Sequence, residues 1–150
     1  MHDDAVKWYL SLYQAHTGRA SRRVRLIRMC DGYLKELRSM GRNTAGDTKQ
    51  KCRKVAACFE KAIKQWQQEE QTAMLQAERI RQQIDSMPGE YADILRWYYV
   101  DGVTWEKIAD RLYITLRHLY RKLNTHVFPE FYLMYEKEIN EVIEREGMSD

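Results

Sequence analysis

The chain has 150 residues, of which 44% are hydrophobic and 31% charged, with seven Gly, two Pro, three Cys and a net charge of +3. That length suits one domain, or one small domain with a helical extension. The longest apolar runs are only about four residues, such as Trp97 to Val100; a bilayer-spanning helix needs roughly 20, and a signal peptide an apolar core of about 7 to 15. The expectation is a cytoplasmic protein with no membrane partner.

With Gly and Pro scarce and no sustained period-two alternation, the pattern predicts an all-α fold. Residues 3–16 read as a short amphipathic helix, opened by Asp3 and Asp4, with Val6, Tyr9, Leu10 and Tyr13 on one face and Thr17-Gly18 as its stop. A second helix is expected from about Ala20 to Met40, with Val24, Ile27, Leu34 and Leu37 inward and Gly32 marking a bend. Its opening carries Arg19, Arg22, Arg23, Arg25 and Arg28, read as a solvated face or one paired with the acidic C-terminus, with phosphate tracking beside the later helices as the alternative.

Gly41 to Asp47 is a turn-rich linker, followed by one long helix from about Thr48 to Ser86. Cys52, Val55, Phe59, Ala62, Trp66, Glu70, Ala73, Ala77, Ile80 and Ile84 form a heptad-like seam with one stutter. Such a stripe must pack on residues 3–40 or on a second subunit, which leaves a homodimer open. Met87-Pro88-Gly89 ends this helix, and residues 90–100 form a short one closed by Asp101-Gly102.

Residues 102–123, GVTWEKIADRLYITLRHLYRKL, contain one pattern twice. Thr104 and Thr115 are each placed to cap a helix, and Val103 with Ile108, and Ile114 with Leu119, occupy matching hydrophobic-staple positions. The predicted helices are about Trp105 to Leu112 and Leu116 to about His126, joined by a tight turn, with Ala109 small enough to permit a close crossing. This is a helix-turn-helix pattern. Tyr113 stands where many such motifs place Gly, and Lys122 where an apolar residue is usual, so a slightly remodelled turn is expected.

On the second helix Leu119 and Leu123 define the buried side. Arg117, Arg121 and Asn124 lie opposite, flanked by His118 and Tyr120, and no acid occurs from Thr115 to Val127. One face anchored in a core and another bearing donors for base edges and phosphates is what a DNA-reading helix needs. The expected DNA-binding residues are therefore Arg117, Arg121, Tyr120, Asn124, His118 and Lys122, with double-stranded DNA as partner.

Residues 94–123, ILRWYYVDGVTWEKIADRLYITLRHLYRKL, resemble region 4 of the sigma-70 family. They are more similar still to phage and prophage late-gene activators of the ArpU and RinA type. Gly102, Thr104, Trp105, Glu106, Ile108, Ala109, Leu112, Arg117, His118, Leu119, Tyr120 and Arg121 carry the likeness. Thr115 replaces the usual Ser cap and Leu116 a frequent Arg. The resemblance implies a sequence-specific transcription regulator that acts with host RNA polymerase in a bacterial cell.

Beyond Pro129 an acidic amphipathic helix is expected, with Leu133, Tyr135, Ile139, Val142 and Ile143 on one side. Residues 129–150 hold seven acids against Lys137 and Arg145, a net −5 that leaves +8 on the first 128 residues and suggests a polyanionic partner. The expected regions are 1–87 for helical packing or oligomerisation, 88–128 for DNA binding, and 129–150 for the acidic helix and tail.

Other chemistry finds little footing. Cys30, Cys52 and Cys58 form an odd set without a CxxC pair, which predicts reduced, mostly packed thiols. His118 and His126 would stand roughly 12 Å apart along one helix, too far to share an ion, so neither metal nor cofactor is expected. His118-x-x-Arg121 with Tyr132 and Tyr135 imitates tyrosine recombinases, which need a second upstream Arg in a larger domain. With no nucleophile triad, glycine phosphate loop or carboxylate pair, no catalytic residue is assigned and the chain reads as a non-enzyme. The alternatives are a small-terminase-like phage DNA-packaging protein and a helical adaptor that binds no DNA.

Overall fold

The structure, a computed structural model, describes residues 2–147 and is all-α. Helix α1 spans His2–Arg42 and α2 Asp47–Asp85. Next come α3, Gly89–Leu95, extended by a π-helical turn over Arg96–Val100, and α4, Trp105–Arg111. Helix α5, Leu116–Lys122, runs through a second π-helical turn, Leu123–Val127, into α6, Phe128–Glu146. Among the described residues no helix is long and apolar enough to cross a membrane.

The chain divides into two compact units: His16–Leu75, and the segments up to Ala15 and from Gln76 onward. This division does not coincide with the boundaries expected at 87 and 128. It assigns the first turns of α1 and the last turns of α2 to the body that contains α3 to α6.

His16–Leu75 is an antiparallel helical hairpin. Arg23 meets Glu69 at 2.7 Å and Arg38 meets Glu60 at 2.9 Å, one pair towards each end. The Arg23 contact is a close ion pair whose Nε lacks the alignment of a hydrogen bond. The seam is thin: Cys30, Leu34 and Ile63 form its buried centre, with Ile27, Ala56, Phe59 and Trp66 packed around it. Two expectations are corrected here. Ile63 takes the inward position while Val55 is 45% exposed, because α2's apolar stripe is wider than a single partner helix covers. Thr17-Gly18 does not stop α1, since Gly costs only about 1 kcal/mol inside a helix and burial of the flanking His16 and Ala20 outweighs it. Exposed Arg22, Arg25 and Arg28 lie on this unit, and Arg23 pairs within it.

The other unit holds a denser core. Val6, Leu10, Ile84, Ile94, Leu95, Ile108, Leu119, Phe131 and Ile139 belong to one cluster and are fully buried. The Tyr9 hydroxyl donates to Gln83 Oε1 at 2.6 Å, and Gln83 Nε2 donates to Glu138 Oε2 at 2.6 Å, so this buried amide is satisfied from two sides. Arg79 pairs with Glu138 as well. The acidic helix α6 is thus engaged by the end of α2.

The helical course does not end near His126 but runs on past Pro129. The Phe128 N–H donates to the Leu123 carbonyl, five residues back, and the widened turn makes room for the ring at the start of α6. Within α6 the backbone kinks at Tyr135 (φ −128°, ψ 22°), whose hydroxyl bonds to that of Ser86. Leu133 is 77% exposed rather than inward; Phe128, Phe131 and Ile139 supply the buried face.

Candidate nucleic-acid interface

The paired helices α4 and α5 are defined by their ends. Thr104 Oγ1 accepts the Lys107 N–H at 3.4 Å, and Thr115 Oγ1 accepts the His118 N–H at 3.1 Å, so both expected caps form and the second is the tighter. Between them the Ile114 N–H donates to the Ala109 carbonyl at 3.1 Å and the Tyr113 N–H to the Asp110 carbonyl at 3.2 Å. That bond pair is a Schellman motif, which requires a left-handed residue just past the helix end. Tyr113 is that residue, with φ 56°. The turn is therefore formed without remodelling, and a fully solvated tyrosine side chain bears the left-handed strain.

The approach to α4 is equally constrained. Gly102 (φ 74°) closes the preceding π-helical turn, and the Val103 N–H donates to the Trp97 carbonyl at 2.8 Å. The Trp105 ring stacks on Tyr98 with centroids 3.8 Å apart and planes within 7°. The Gln14 amide donates to the Tyr99 carbonyl at 2.9 Å, so the N-terminal helix braces this turn. Ile108, Ala109, Leu119 and Leu123 are buried beneath the pair.

With that side fixed, Arg117, His118, Arg121 and Asn124 are exposed together, and Tyr120 is 41% exposed beside them. Among the described residues neither Arg117 nor Arg121 takes part in an ion pair. Their donors stay available in water.

No protein-family model, curated protein or solved structure matches this chain.

Lys122 departs from the expected set. It is half-buried and its ammonium pairs with Glu90, which ties the end of α5 to the start of α3. Its position in the sequence, where an apolar residue is usual, is explained by that tie. One neighbour escaped the sequence reading. A cleft of about 460 Å³ opens beside Tyr120 and Asn124, and Lys7, from the first turns of α1, shares its lining with Trp105. Lys7 Nζ lies 5.5 Å from the centroid of Phe128. Nothing in the sequence near Lys7 marks it, because its nearness to α5 is purely tertiary.

Proposed function

We propose that the chain is a sequence-specific DNA-binding transcription regulator of the phage or prophage type, acting with host RNA polymerase. Residues 115–126 enter the major groove. The observation that carries this reading is the exposed, acid-free face of α5, held by a capped start and a Schellman turn so that Arg117 and Arg121 project away from Leu119 and Leu123. A rigid helix anchored on one side places bidentate guanidinium groups against guanine edges, and His118, Tyr120 and Asn124 add contacts around them. The likeness to sigma-70 region 4 and to the ArpU and RinA type of activator supports the regulatory half of the proposal. Lys122 is left out of the reading face, because Glu90 holds it.

Titration of a selected duplex tests the assignment. Arg117→Ala or Arg121→Ala costs about 1–3 kcal/mol and relaxes preference at one base position. If both variants stay folded and keep wild-type affinity and discrimination, α5 is not the reading helix.

A further inference from the structure

The charge of this protein is segregated by unit. The hairpin His16–Leu75 carries 14 Lys and Arg against 6 Asp and Glu, a net +8, whereas the remaining chain carries 11 against 16, a net −5. The unit that presents α5 is therefore acidic overall, and the long-range field that draws a polyanion comes from the hairpin.

The cations gather at one end of the hairpin. At the tip, where α1 gives way to α2, Arg38, Arg42, Lys49 and Arg53 line a cleft of about 410 Å³ that also borders Leu37 and Ala56. Glu60 pairs with Arg38, and no ion pair among the described residues takes up Arg42, Lys49 or Arg53. Lys49 lies in the first turn of α2, where the positive end of the helix dipole disfavours a cation and adds to the potential of the cleft. A local arrangement that raises electrostatic repulsion is relieved by an anion.

Arg28, Lys35 and Arg42 follow one another at seven-residue steps on α1, a row roughly 20 Å long at 1.5 Å per residue. A row of that length runs along about six base-pair steps of duplex DNA, at 3.4 Å of axial rise each. A short acidic peptide motif would need only the tip.

We infer that this cationic edge of the hairpin is a second, sequence-independent DNA site that grips the phosphate backbone, an inference that rests on the DNA-binding reading of α5. The hairpin supplies most of the salt-dependent affinity, and α5 supplies the discrimination.

The test uses the full chain and a random-sequence duplex, with affinity followed by anisotropy from about 50 to 200 mM salt. Replacing the three cations together, Arg42→Gln/Lys49→Gln/Arg53→Gln, lowers the slope of log affinity against log salt by about 2.7, or about 0.9 for each phosphate no longer neutralised. The charge-preserving Arg42→Lys/Arg53→Lys variant keeps the slope. A triple variant that is folded by circular dichroism and retains the wild-type slope and affinity overturns the inference. So does one that loses binding to polyglutamate while its duplex binding is unchanged, which would make the edge a dock for acidic protein. A lowered slope in a protein with no sequence preference supports the hairpin site and removes the reading of α5. Absence of any duplex binding by the wild-type chain overturns both.

Discussion

In the hairpin two long helices meet along a single seam, and the side chains at its centre, Cys30, Leu34 and Ile63, retain 5–8% exposure. In the other unit short helices converge on the ends of α1 and α2, and side chains as large as Phe131 and Leu10 disappear from solvent. Both regions are made of amphipathic helix, so the difference lies in how many partners each apolar stripe meets. A helix facing one neighbour buries a strip; a helix enclosed by several buries most of its circumference. The charge follows the packing. A thin seam leaves ample surface for 14 cations, whereas the dense unit sets its 11 cations among 16 acids and arranges Arg117 and Arg121 on one helix face.

Cavity-forming substitutions should separate the two regions most widely. Phe131→Ala empties a fully enclosed site and is expected to cost about 3–5 kcal/mol, whereas Ile63→Ala in the hairpin costs at the low end of the roughly 2–5 kcal/mol range, because the open seam collapses around it. Denaturant melts of the two variants measure the gap. Equal costs would mean that the hairpin seam is as tightly packed as the larger core.

Local devices in the C-terminal unit have smaller effects. Thr115→Ala removes the cap of α5 and is expected to destabilise by about 1 kcal/mol. Thr104→Ala costs less, since its bond is the longer, 3.4 Å against 3.1 Å. Tyr113→Gly relieves the left-handed strain at φ 56° and stabilises by up to about 1 kcal/mol in a thermal melt. A destabilised glycine variant would show that the tyrosine ring contributes something its exposure does not suggest.

The smallest effect is confined to alkaline pH. Burial pushes the Tyr9 hydroxyl up from 10.0 to about 12. The folded state therefore holds this proton more tightly than the unfolded chain does. Its contribution is complete below about pH 10 and is lost as pH rises from there towards 12. The alkaline limb of the stability curve should be shallower in Tyr9→Phe, which has no phenol to ionise at that position. An unchanged limb would place the titrating groups elsewhere.

What the sequence reveals well is whatever depends on neighbours a few residues apart. The caps at Thr104 and Thr115, the left-handed position of Tyr113 and the buried stripe of Leu119 and Leu123 are all local, and each is present in the structure. Features decided by tertiary partners stay hidden. Lys122 looks like part of a basic face until Glu90, 32 positions earlier, reaches it. Val55 and Ile63 both fit a heptad seam, and only the placement of α1 selects Ile63. Gly18 and Pro129 look like stops because propensity is local, yet burial carries the helix through the first and a widened turn carries it past the second. The cationic edge at the hairpin tip draws on two helices and is visible only once they are paired.

Whether α5 reads DNA is decided most simply by a selection from random duplex DNA at near-physiological salt, run in parallel with the wild-type chain and with Arg117→Ala/Arg121→Ala. We expect an enriched motif for the wild type and loss of that motif in the variant, with the variant still folded. The same motif recovered by both proteins, or none by a folded wild type, would contradict the assignment of α5 as the reading helix.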